Sequence, residues 1–232
     1  MRNKIFQNFD DAVADIPDGS TIMFAEFGGV GSPQNLIAAL NRQGAKRITG
    51  ISNNHGGIDG RVDVGTLVEA GQVEKMICAF TAPPHPSRTT PFSRLYNDDE
   101  IEAELVPQGT LAERIRSAGA GIGAFYTPAG VHTELSNGKE HREIAGRVYV
   151  LEYALPADYA FIRAWKADTL GNLQFRLTQR NFNPIMATAA KTTIVEVENE
   201  ILAPGQLDPD EVHTPGVYVD RIVAIPPDGI WA

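Results

Sequence analysis

Two short polar stretches carry residue types that can bind a ligand or stabilise developing charge. Pro107-Gln108-Gly109-Thr110 joins a strand pattern to a helix pattern. A neutral glutamine amide at such a junction can donate to an oxygen that gains negative charge in a transition state. The same residues also suit a plain helix-entry turn with an incidental glutamine. Ser52-Asn53-Asn54 falls where a strand ends, and open α/β sheets take ligands beyond the carboxyl ends of their strands. Asx-turn chemistry accounts for that tripeptide equally well.

A third stretch, DGSTIMFAEFGGVGSP at residues 18–33, reads as an apolar strand, a glycine loop and a helix start. Gly28, Gly29 and Gly31 permit positive φ and close backbone approach. Ser32 has the side chain of a helix cap, and Pro33 suits a first helical position. The helix dipole and free N–H groups would then face the loop, where an anion or thioester oxygen could sit. On spacing alone a structural strand-to-helix turn is the simpler reading, since neither a Walker A sequence nor GxGxxG stands there.

Other chemistry is weakly represented. His55, His85, His132, His141 and His213 are scattered with no HExxH pair, so no metal site is expected. No GxSxG elbow occurs. The run Glu196-Val197-Glu198-Asn199-Glu200 reads as a strand end with solvated carboxylates. Ala118-Gly119-Ala120-Gly121, with Gly123, reads as a tight turn after a helix. Lys166, Asp168, Arg180 and Asn181 read as polar anchors, with a hairpin turn at residues 168–172 and a helix after Pro184.

Strand and helix patterns alternate around these stretches, which argues for α/β architecture. Strands are predicted at residues 21–25, 47–52, 75–80 and 102–106, with further apolar segments at 148–151, 159–165 and 192–197. Helices are predicted from Asp10 as cap to Val13, from Pro33 to Gln43 with Gly44 as stop, near residues 65–70, and from a capping box at Thr110 and Glu113. Residues 81–99 hold four prolines without a helical period and are predicted to be an extended loop. The last segment should be a loop and a closing strand. No repeat or linker is evident, so residues 1–232 read as one domain.

Composition sets the class of partner. With 29 acidic against 20 basic residues the formal net charge is −9 and no basic cluster occurs, which argues against nucleic acid. One cysteine, Cys78, rules out an intrachain disulfide; its apolar setting predicts a buried inert thiol. No stretch is long and apolar enough to span a bilayer, and residues 1–11 carry no apolar signal core. A cytoplasmic enzyme, whole or as one half of a pair, fits.

Taken in order, these stretches resemble the A (α) subunit of family I CoA-transferases of the 3-oxoacid type. The resemblance runs from Ile5 to Val223. It is carried by DGSTIMFAEFGGVGSPQNLI, ISNNHGG, AELVPQGTLAERIRSAGAGIGAFYTP, IRAWKADTLGNL, RNFNPIMATAAK and HTPGVYVDRIV. It implies an open, mostly parallel α/β sheet with helices on both faces, the NagB/RpiA/CoA-transferase-like fold. It implies CoA exchange between an acyl-CoA and a carboxylic acid, with the CoA thioester as substrate and no bound cofactor. The partner is a B (β) subunit, in an A2B2 heterotetramer, whose Ser-Glu-Asn-Gly motif supplies the nucleophilic glutamate. This chain has Asn53 at the related position. Gln108 matches the family's oxyanion glutamine. Phe27, Gly28, Gly29, Gly31, Asn53, Asn54 and Gly109 are the implied substrate and CoA contacts.

Two departures from the family stand out. Where the family has Gly-Gly-Phe, this chain has Ala25-Glu26-Phe27. Glu26 either enters the acyl pocket, to repel a carboxylate, pair with a cation or act as a base, or it points to solvent or a partner chain. Ala82-Pro83-Pro84-His85 replaces a Gly-x-Asn turn, and the segment after it is longer, which would reshape the acceptor pocket. Glu26 and this loop motivate an alternative, an acyl-CoA hydrolase or C–C bond-cleaving pair on the same scaffold. A non-catalytic binding relative is a third class by fold analogy.

Overall fold

A computed structural model describes residues 3–58, 60–81, 85 and 88–230. The strands are β1 (Thr21–Phe24), β2 (Ile48–Ile51), β3 (Val73–Cys78), β4 (Glu102–Leu105), β5 (Ala124–Thr127), β6 (His141–Ile144), β7 (Arg147–Tyr153), β8 (Ala157–Asp168), β9 (Leu173–Gln174), β10 (Ala190–Leu202) and β11 (Arg221–Ala224). The α-helices are α1 (Phe9–Val13), α2 (Gln34–Gln43), α3 (Val64–Glu69), α4 (Pro91–Asn97), α5 (Gln108–Gly119) and α6 (Asn183–Thr188).

The main sheet runs β11-β10-β8-β1-β2-β3-β4 with every neighbour parallel, and β9 folds back antiparallel on β8. The chain steps outward from β1 to β4, then returns to β8 on the opposite flank of β1. This reversal of strand order is where open α/β sheets place ligands, beyond the carboxyl ends.

Alternation along β1 decides which helices cover each face. Ile22 and Phe24 pack with Val13 of α1, Leu36 and Leu40 of α2 and Leu67 of α3. Met23 and Ala25 pack on the other side with Leu111 and Ile115 of α5 and Met186 of α6. A strand covered on both faces has no polar side, which is why it reads as continuous apolar residues. In α2 the spacing Leu36, Ile37, Leu40 makes one apolar stripe, and Gly44 ends the helix at φ 87°, its N–H donating to the Leu40 carbonyl at 3.0 Å.

Several local expectations are corrected. Asn8, not Asp10, caps α1, its side chain accepting the Asp11 N–H. Helix α5 begins two residues before Thr110; that hydroxyl is buried without a hydrogen-bond partner, and Pro107 supplies the entry geometry instead. Residues 91–97 form α4 rather than extended loop. Thr90 and Ser93 make a reciprocal capping box, Pro91 takes the first turn, and buried Phe92 stacks on His55 with centroids 5.0 Å apart. Of the Ala82-Pro83-Pro84-His85 turn, only His85 falls within the described residues. The apolar segment at 148–151 belongs to a separate antiparallel sheet, β5-β7-β6.

The largest correction concerns Glu196, expected to be solvated. It is fully buried, and its Oε2 accepts the N–H groups of Asn35 at 2.9 Å and Leu36 at 3.1 Å. Ser32 makes no side-chain cap. The N-terminus of α2, expected to offer an anion site to the loop, is therefore occupied by the chain's own carboxylate. Arg163, equally buried, donates to Glu196 at 3.0 Å and to Glu198 at 2.5 Å. Burial pushes the Glu196 carboxyl up to about 7 against the pull of Arg163 and the helix N–H groups.

Candidate active site

The loop after β1 is a small hairpin. Phe27 and Val30 exchange two backbone hydrogen bonds at 3.1 Å, and Gly28 and Gly29 sit between them at φ 60° and 82°. Positive φ at both central residues is the signature of a type I′ turn, which glycine adopts without strain. The two flanking apolar side chains are exposed, Phe27 at 49% and Val30 at 40%.

Three side chains from elsewhere hold this hairpin by its carbonyls. Arg61 donates to Gly29 at 2.5 Å, Asn181 to Val30 at 2.9 Å and Asn183 to Gly31 at 3.2 Å. A Cβ on Gly31 would lie 2.6 Å from the Asn183 amide, and one on Gly29 2.6 Å from Arg61, whereas one on Gly28 would meet nothing within 4 Å. Gly29 and Gly31 are thus packed against protein, and Gly28 is the open one. The polar anchor reading of Asn181 is met by its tie to the loop.

Beneath the turn lies Glu26, only 4% exposed. Its Oε2 accepts the Gly29 N–H at 2.9 Å and the Asn54 side-chain amide; its Oε1 accepts the Asn54 backbone N–H at 2.9 Å. The Ser52 hydroxyl is 3.4 Å from Oε1, but its single proton is better placed on the Phe24 carbonyl at 2.9 Å. Glu26 therefore points neither to solvent nor into an open pocket. Burial raises its pKa above the ordinary value, and the Gly29 and Asn54 N–H groups pull it back.

The ends of β1, β2 and the start of α5 converge here. Asn54 Oδ1 accepts the Gly56 N–H at 2.8 Å, so the Asx turn is present. Asn53 is pinned through its carbonyl, which accepts the Ala79 N–H at 3.1 Å, and its Oδ1 accepts Gln108 Nε2 at 2.7 Å. The two stretches singled out by residue type thus meet. Gln108 stands exposed at the start of α5 with Gly109 beside it. A primary amide carries two hydrogens, and the bond to Asn53 fixes one and aims the other.

A cavity of about 380 Å³ opens next to this cluster, lined by Gly28, Asn54, His55, Ile58, Phe80 and Thr90 among others; Gln108 and Gly109 are not part of its wall. Sequence reasoning does not single out His55, Phe80 or Thr90 for this wall. The Thr90-Pro91 pair is a legible helix-start signal, whereas His55 is placed through tertiary contacts: stacking on Phe92, an edge contact with Phe80 and its Nδ1 at 3.4 Å from the Thr90 hydroxyl. Cys78 is buried and its thiol is pushed up to about 11, as expected of an inert core group. Among the described residues no cluster of potential metal ligands occurs, and no helix is long and apolar enough to cross a membrane.

A profile of the family "Coenzyme A transferase" matches residues 6–224. The chain belongs to that family, on the A side of its paired halves. It is 49% identical over 225 residues to the A subunit of 3-oxoadipate CoA-transferase from Pseudomonas putida, covering 97% of this chain and 95% of that one. It is 48% identical over 220 residues to the A subunit of the probable succinyl-CoA:3-ketoacid coenzyme A transferase from Bacillus subtilis, covering 95% and 89%. Among solved structures, glutaconate coenzyme A-transferase from Acidaminococcus fermentans superposes with a TM-score of 0.82 at 23% identity, over 96% of this chain and 76% of that one. The acyl-CoA transferase YdiF of E. coli O157:H7, in a thioester complex with CoA, gives 0.79 at 23% identity, over 99% and 48%. The open α/β fold implied by the motifs is the fold observed.

Proposed function

We propose that this chain is the A half of a two-subunit enzyme that moves CoA between an acyl-CoA and a carboxylic acid, the nucleophilic glutamate coming from the B half. The observation that carries this reading is the Gln108 amide held by Asn53 at 2.7 Å, an oxyanion donor with no available carboxylate beside it among the described residues. Asn53 cannot attack a thioester, and both oxygens of Glu26 already accept N–H groups. Its burial beneath the turn, away from the cavity wall, speaks against Glu26 as a base on water, the route that hydrolysis would need.

In this mechanism the partner's glutamate carboxylate attacks the acyl thioester carbonyl. The oxygen of the tetrahedral intermediate takes the free N–H of Gln108. Collapse expels CoA thiolate and leaves an acyl–glutamyl anhydride. The thiolate attacks the glutamyl carbonyl, releasing the first carboxylate and forming an enzyme thioester. The acceptor carboxylate attacks that thioester, and the steps run in reverse. Phe27 and Val30, exposed on the hairpin, would border the partner. The A2B2 assembly and the cytoplasmic location belong to the proposal, as do Gly28, Asn54 and the cavity as the acyl contact surface. The 3-oxo acids named by the relatives are the first acceptors to assay.

The test is mass spectrometry of the co-expressed pair after incubation with acyl-CoA. A CoA adduct on the partner's glutamate, with none on this chain, is the expected outcome. Full exchange activity from this chain alone, or an adduct on it, would sink the reading.

A further inference from the structure

Glu26 is a buried carboxylate that the mechanism above leaves unused. It joins two loops that leave neighbouring strands, because it accepts Gly29 N–H from the β1 loop and both the backbone and side-chain N–H of Asn54 from the β2 loop. All three are amide donors, which cannot reverse to become acceptors. A glutamine at this position would turn an N–H toward at least one of them. Only an acceptor on both oxygens satisfies the whole set.

Asn54 has no further freedom once bound this way. Its Nδ2 is on Glu26 and its Oδ1 holds Gly56 N–H at 2.8 Å. The adjoining Asn53 is fixed from the other side by Ala79 N–H on its carbonyl, and its Oδ1 receives Gln108 at 2.7 Å. A continuous chain of contacts therefore runs from Glu26 through Asn54 and Asn53 to the Gln108 amide. Gln108 lies on an exposed first helical turn, where little else restrains its side chain.

We propose that Glu26 is a positioning residue. Its carboxylate brackets the β1 and β2 loops and thereby sets the direction in which Gln108 presents its free N–H. It touches neither substrate nor the reacting atoms. The kinetic part of this inference rests on the CoA-transferase reading, and the experiment has one arm that does not.

In the first arm, hydrogen exchange is followed in the full chain carrying Glu26→Gln. The amides of Gly29 and Asn54 should lose protection, while those of β8 and β10 keep theirs. Unchanged protection at both loops overturns the bracket, whatever the protein catalyses. In the second arm, the A–B pair is assayed. Glu26→Gln should lower kcat about 10- to 100-fold, the scale of a misplaced catalytic group, with KM for both substrates within about twofold. Glu26→Gln combined with Gln108→Ala should be no slower than Gln108→Ala alone to within about threefold, because both act through one amide. Losses that multiply, or an unchanged kcat, overturn the positioning role. Should the glutamine variant fail to fold, Glu26→Gly removes the acceptor without burying a new amide, and the same two readouts apply. A wild-type pair that moves no CoA would count against the function proposed above, and the exchange arm would still decide the bracket.

Discussion

Glu26 and Glu196 are both buried glutamates that accept two backbone N–H groups, yet they hold different kinds of structure together. Glu196 closes a helix start from across the sheet and has a buried arginine beside it. Glu26 joins two loops, and among the described residues no cation lies within ion-pair distance of it. The difference teaches where a ligand can go. The helix N-terminus, the feature usually read as anion-binding, is already satisfied by Glu196. The site's capacity lies instead in the loops, where an amide on an exposed turn still has a hydrogen to give.

The contrast can be broken most heavily on the Glu196 side. Arg163→Ala would leave Glu196 buried without its cation, and a loss of about 3–5 kcal/mol in urea-unfolding free energy is expected. A loss under about 1 kcal/mol would mean that the helix N–H groups suffice alone. Next comes Gln108→Ala, which should cost about 3–4 kcal/mol of transition-state stabilisation with little change in KM, read by steady-state kinetics of the A–B pair. An unaltered rate would remove Gln108 from the chemistry.

Smaller effects sharpen the contrast. Glu26→Gly should leave assembly intact by size-exclusion chromatography but lower kcat about 10- to 100-fold with every acceptor acid alike, because Asn54 loses its bracket and Gln108 its alignment. Unchanged kinetics with every acceptor would make Glu26 a bystander. The pH dependence of Glu196 has a definite sign. Its folded pKa of about 7 lies above the ordinary 4.5, so the native state holds the extra proton and stability falls as pH rises from 4.5 through 7. Glu196→Gln should flatten that part of the Tm–pH curve; an equally steep decline in the variant would place the proton elsewhere.

How much is legible in the sequence follows from range. β1, β2 and the end of α2 at Gly44 are set by local apolar runs and a left-handed stop, and these are readable. The pairing of Gln108 with the Ser-Asn-Asn stretch is legible only as two places of suitable residue type; their meeting depends on β2 and β4 flanking β3. Glu196 looks like a solvated strand end because its burial depends on Arg163 and α2, neither of which is near it in sequence. Helix α4 is hidden by composition: prolines suggest an extended loop, although Pro91 after Thr90 is a good helix opening. Its single large core anchor, Phe92, finds its partner on another loop.

The long reach of these contacts also bears on how the chain is made. Thr21 N–H donates to Asp158, 137 residues on, and α2 waits 161 residues for its cap at Glu196. While β1 to β4 emerge from the ribosome, β1 is a temporary sheet edge with unpaired N–H and C=O groups, although it ends as a central strand. Synthesis must pass β8 before that edge is covered, and β10 before α2 has its cap. Folding of this half is thus tied to the second half by high contact order, and a chain halted between them is the species expected to aggregate.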